Sequence, residues 1–178
     1  SRFLAALALV AVLGGTLDRV NAQNVDPARA KVLSVEQATA LIKKPNSLRV
    51  DVVDLSPEAA AVLATYKGEL RFEALTTLSA ETAAALATRS GQIDLPKVTA
   101  LTPAVAKALA TTKGQLHLSG VKELPTDVAK ELAAHTGRLA LGVTELSDEA
   151  AAALAKHGGD LRLSGLKGLD RKSTRLNS

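Results

Sequence analysis

The chain has no cysteine, tryptophan or methionine, and only one tyrosine and two phenylalanines among 178 residues. Without cysteine there is no disulfide framework and no thiol chemistry. Aromatic residues make up 2% of the chain, so the core has to be built from Leu, Val, Ile and Ala, and a wide aromatic binding surface is not expected. Catalytic signatures are missing too: there is no HExxH, Walker A or GxGxxG, and no serine sits in a nucleophile elbow. These residues predict no enzyme and no cofactor, short of a further domain beyond residue 169.

A strong charge of one sign is also lacking where it would count. The net charge is +4, but residues 1–22 supply +1 and residues 170–178 supply +2, which leaves +1 for everything between. A phosphate-binding surface needs clustered Lys and Arg, so nucleic acid is not an expected partner. With 47% hydrophobic against 22% charged residues, the chain is expected to fold.

The two ends differ from the middle. Arg2, the apolar stretch Phe3–Leu13 and the small residues around Ala22 have the layout of a secretory signal peptide over residues 1–22, with Gln23 as the expected mature N-terminus. The apolar run is too short to span a bilayer comfortably, so no membrane insertion is expected after its removal. With no cysteine after the cleavage site, a lipoprotein anchor is excluded. The expected destination is secreted, periplasmic or cell envelope. The run DRKSTRLNS, residues 170–178, has no apolar periodicity and resembles one reading frame of a common sequencing adapter. The alternative is a genuine basic tail for an acidic partner. On the adapter reading, the natural chain continues past residue 169.

Between the ends the sequence repeats itself. Segments 70–92, 93–115 and 116–138 are each 23 residues long and align without gaps, and segments 48–69 and 139–160 match with one residue fewer. Residues 23–47 hold half a unit that serves as an N-terminal cap, and Leu161 begins another. Each unit opens on an alternating LxL, as in Leu116-His117-Leu118, which predicts a short strand. Apolar anchors follow, such as Leu75 and Leu78 or Val98 and Leu101. Ser56, Ser79, Thr102 and Ser147 then share one slot, with Pro57, Pro103, Glu58, Glu81 and Glu149 just inside, which marks a helix start. Pro125 takes that slot in one unit, so Thr126 or Asp127 has to supply part of the cap there.

Counting from the cap, Ala60, Ala83, Ala106, Ala129 and Ala151 share a slot, with Leu63, Leu86, Leu109, Leu132 and Leu154 three later. Ala64, Ala87, Ala110, Ala133 and Ala155 follow, and this i, i+3, i+4 stripe predicts the buried face. Lys107 and Lys130 lie between and should face water. Gly68, Gly91, Gly114, Gly137 and Gly159 close each unit, where a left-handed C-cap is expected.

One strand and one helix per 22–23 residues cannot bury both apolar faces alone, so the units have to stack. The expected fold over residues 48–169 is an α/β solenoid of leucine-rich-repeat type, with a parallel sheet on one face and helices on the other. The pattern LxLxGLxxLSxEAAxALAxxxG, carried by Leu161–Leu166 and Leu146–Gly159, resembles the leucine-rich-like repeats of secreted and envelope proteins in planctomycete-type bacteria. The resemblance covers about residues 33–169 and implies an interaction or structural role, with no catalytic residues to transfer.

The outward strand positions Arg49, Arg71, Asp94, His117, Ala140 and Arg162 should form one row, and sheet faces of solenoids are where partners dock. Arg49 and Arg71 would be like-charged neighbours, an arrangement that an anionic group on a partner would relieve. No aromatic lies in the row, which weakens it as a binding face. His135 and His157 share the slot two residues before the glycine, where a partly charged imidazole near a helix C-terminus is mildly stabilising. Two ligands from adjacent units do not make a metal site. The sequence thus leaves an exported scaffold for an unknown protein or glycan, a structural envelope spacer, or the repeat region of a longer protein. Leu161, Leu163, Leu166 and Leu169 should form an open end prone to self-association.

Overall fold

The computed structural model describes residues 32–43 and 47–166. The expected signal peptide, residues 23–31 of the cap, Leu169 and the tail at 170–178 lie outside the described residues.

Six helices and six strands follow one another among the described residues: α1 (Val35–Leu41), β1 (Ser47–Val50), α2 (Pro57–Ala64), β2 (Glu69–Phe72), α3 (Ala80–Ala87) and β3 (Ile93–Asp94), then α4 (Pro103–Ala110), β4 (Leu116–Leu118), α5 (Thr126–Ala133), β5 (Leu139–Leu141), α6 (Asp148–Leu154) and β6 (Leu161–Leu163). The strands form one parallel sheet in sequence order. Consecutive helices pack on one another along its other side. The chain is an open α/β solenoid. Register repeats the unit lengths read from the sequence: Leu48 pairs with Leu70, Leu70 with Ile93, Ile93 with Leu116, Leu116 with Leu139 and Leu139 with Leu161.

The helix starts form as the shared hydroxyl slot requires. Ser56, Ser79, Thr102 and Ser147 each accept from the backbone N–H three residues on. Ser34 does the same for Gln37 N–H, and the Gln37 side chain returns the bond to complete a capping box. Pro125 has no side chain to offer, and Asp127 Oδ1 accepts from Val128 N–H at 2.9 Å instead.

The buried helix face is shifted from the expected stripe. The Ala60, Ala83, Ala106, Ala129 column and the Leu63, Leu86, Leu109, Leu132 column are fully buried. The residue before each alanine, in Ala59, Thr82, Val105, Val128 and Ala150, is buried as well. Most of the i+4 alanines are only half-buried. The shift arises because each helix is flanked by others as well as backed by the sheet. The slot before the alanine reaches back to the preceding unit: Thr82 Oγ1 donates to Leu55 O at 3.0 Å. At the last helix, Ala151 and Ala155 are exposed, contrary to expectation, because no helix packs beyond α6 among the described residues. Lys107 and Lys130 are exposed, as the pattern requires. Leu161, Leu163 and Leu166 are half-buried against the core.

Thr82→Val keeps the shape of that buried side chain and removes its donor, leaving Leu55 O without its side-chain partner. It should lower unfolding free energy by about 1 kcal/mol in urea titrations, and an unchanged midpoint would show that the bond contributes nothing.

The glycines do not form the left-handed caps expected of them. Helices end three residues earlier, at right-handed C-caps such as Thr65, Thr88 and Thr111. Each of these threonines donates its hydroxyl to the carbonyl three residues back, at 2.7, 2.9 and 2.7 Å. Gly91, Gly114, Gly137 and Gly159 are not in the left-handed region. Their column is where backbones of successive units touch: a Cβ on Gly114 would overlap Gly91 O, one on Gly137 would overlap Gly114 O, and one on Gly159 would overlap Gly137 O.

Candidate interaction face

From β1 to β5 the residues flanking the outward position are buried, and in β6 they are half-buried. The pairing aligns Arg49 with Arg71, Arg71 with Asp94, Asp94 with His117, His117 with Ala140, and Ala140 with Arg162. The row therefore exists as the alternation implied, at the ~4.8 Å spacing of paired strands.

Its members do not form one site. Arg49, Arg71 and Asp94 come together around a cavity of about 120 Å³, which Ser47, Glu69 and Gln92 also line. His117 lies beside it, its Nδ1 3.3 Å from Gln92 Nε2. Ala140 interrupts the row. Arg162 stands apart at the other end, 3.6 Å from Asp160 Oδ2, which also takes a 2.7 Å bond from Arg138 Nε.

The expected repulsion between Arg49 and Arg71 is already answered within the protein. Arg71 Nη1 donates to Asp94 Oδ2 at 2.7 Å, and Arg71 Nε lies 2.8 Å from Glu73 Oε1. The second contact is a close approach of charges without an aligned N–H, since Nε has no hydrogen-bond partner. Arg49 Nη1 is 3.8 Å from the same Glu73 oxygen. Arg71 is thus held on both sides. Arg49, whose side chain is 76% exposed, keeps nearly all its donors free. Asp94, expected outward and open, is 8% exposed because Arg71 folds over it.

Glu73 and Gln92 were missed as members of this site, although alternation pointed to both. Glu73 lies two residues after Arg71 and Gln92 two before Asp94, so each shares its neighbour's face. Chemically the site offers the free donors of one guanidinium, the edges of two engaged carboxylates, the exposed Glu69 and a carboxamide. Among the described residues no group of three His, Cys, Asp or Glu side chains converges to hold a metal ion.

A second polar column runs inside the molecule. Tyr66, Arg89, Thr112 and His135 are buried and His157 is half-buried, all in the slot two residues before the unit's glycine. The longer members reach the glycine carbonyl of the preceding unit: Arg89 Nη2 donates to Gly68 O, and His157 Nε2 donates to Gly137 O at 3.1 Å. Burial lowers the pKa of Arg89, and nearby Tyr66 partly offsets it. The expectation of a partly charged histidine at His135 does not hold. Its ring is fully buried, and that burial lowers its pKa. Backbone groups of Ala110, Arg138 and Gly114 pull the other way, yet none meets hydrogen-bond geometry with a ring nitrogen.

No helix among the described residues is long and apolar enough to cross a membrane. Compared with protein-family models and with curated protein sequences, the chain matches none.

Proposed function

We propose that this chain is an exported, leucine-rich-repeat-like scaffold that binds a protein or glycan through the Arg49 end of its strand face. The convergence of Arg49, Arg71 and Asp94 on one cavity carries this reading. A rigid sheet holds the backbone of the three residues in register, so the ordering entropy lost on binding falls mainly on the free Arg49 side chain. Arg49 can make charge-assisted bonds to a carboxylate or an acidic sugar, while the neighbouring acids accept from hydroxyl or amide donors. The mixture of signs suits such partners better than a phosphate backbone. Export rests on the Phe3–Leu13 stretch and Ala22.

A second reading, an envelope spacer, draws on two observations. Arg71 is already engaged by Asp94 and Glu73 without a ligand, and Ala140 breaks the row. Arg49→Glu separates the readings, because Arg49 makes only one loose contact and its replacement leaves the Arg71 bonds in place. Wild type, Arg49→Glu and the helix-face control Lys107→Glu/Lys130→Glu should be compared on envelope extracts and on acidic-glycan arrays. Recovery of a partner should fall roughly tenfold for Arg49→Glu alone, as loss of one charge-assisted hydrogen bond implies. Equal recovery by all three proteins leaves the spacer.

A further inference from the structure

The buried polar column ends in an arrangement that no strand-face binding role uses. His135, at the turn after α5, and His157, at the turn after α6, stack with ring centroids 5.9 Å apart and planes inclined by 16°. His135 is 0% exposed, and neither of its ring nitrogens has a hydrogen-bond partner. His157 spends its Nε2–H on Gly137 O, which leaves Nδ1 bare, buried and without a partner. A neutral His135 already buries one N–H without an aligned acceptor. A proton on His135 would add a second such N–H and a charge with no counterion, offset only by the backbone groups of Ala110, Arg138 and Gly114.

No carboxylate is placed to rescue that charge. On the α4 side, the ring meets the backbone of Ala110 and Gly114, Thr112 precedes it in the column, and Lys113 is exposed. On α5 itself, Glu131 lies a turn earlier and Lys130 is exposed, and Glu131 forms no ion pair with either histidine. On the α6 side, Lys156 is exposed, and Asp160 is engaged by Arg138 at 2.7 Å and by Arg162 at 3.6 Å.

We propose that the His135–His157 stack is an acid-sensitive latch: neutral, it holds the turn after α6 onto the turn after α5, and protonation releases the α6–β6 end of the solenoid. The direction follows from linkage. Burial lowers the pKa of His135 in the closed state, whereas an opened ring returns to its ordinary value near 6.5. The latch is therefore at full strength above that ordinary value. It weakens as pH falls below it, because the open state takes the proton first, until the closed-state pKa is passed.

Native-state hydrogen exchange on the backbone amides of Leu161–Leu163 and α6 tests this, with each rate divided by its intrinsic rate. Between pH 7.5 and 5.0 wild-type protection should drop roughly tenfold or more, since each unit of pKa difference is a factor of ten. His135→Thr, which uses the residue that Thr112 places in the same slot, should change less than about threefold over the same range. Unchanged wild-type protection overturns the latch, and so does a variant that keeps the full pH response. Should the variant not fold, ring titration of the wild type by NMR decides. Proton uptake by His135 has to coincide with the loss of protection, and uptake without that loss also overturns the proposal.

Discussion

Leu109→Ala should cost the solenoid about 2–5 kcal/mol, while Lys107→Ala on the same helix should stay within about 0.5 kcal/mol. Leu109 is fully buried in the column of Leu63, Leu86 and Leu132, and this core has almost no aromatic mass to close around a lost isobutyl group. Leucine and alanine are already interleaved there, so truncation leaves a void that small neighbours cannot fill. The position magnifies the effect. In a solenoid, stability is close to a series of unit and nearest-neighbour contributions, and α4 has a helix on each side. The matching change at Leu154, on α6, touches one neighbouring helix and should cost less. Urea denaturation of the three variants checks this order, and similar losses from Leu109→Ala and Lys107→Ala would contradict a helix face that buries Leu109 and leaves Lys107 in water.

Much of this architecture was legible because each unit repeats the same local instructions. A hydroxyl in one slot fixes the helix start, alternation fixes the strand, and unit lengths of 22 or 23 residues fix the register that the sheet adopts. Relations between units were harder to see. Thr82, Val105 and Val128 are buried because a neighbouring unit lies over them, and a single-helix stripe contains no neighbour. The pairing of Arg71 with Asp94 crosses strands and depends on side-chain conformers, so the sequence suggested repulsion at Arg49 where the structure has Glu73 between the two arginines. His135 carried no sequence signal of burial of its own. Its slot also holds Arg89 and Tyr66, residues common at surfaces, and only stacking of the turns encloses them.

The glycine column shows the same limit most sharply, and it makes the second large prediction. A glycine after a helix reads as a left-handed cap, a role in which alanine is strained by its backbone angle. Gly114 has no such angle. Its constraint is distance, because a Cβ there would run into the carbonyl of Gly91 and the backbone around it. Backbone cannot swing aside as a side-chain tip can, so Gly114→Ala has to push two units apart at the point where their turns meet. The expected cost is about 1–3 kcal/mol from overpacking, and it should appear as faster hydrogen exchange on both sides of the turn, at Ile93 and Leu116. Gly158 supplies the contrast within the same protein. Nothing lies within 4 Å of a Cβ built there, and its backbone is not left-handed. Gly158→Ala should therefore be neutral or stabilising by about 0.4–1 kcal/mol, through the reduced freedom of the unfolded chain. If Gly114→Ala proves as harmless as Gly158→Ala in urea denaturation, the turns are not held at backbone contact, and close approach between units is not what requires glycine in that column.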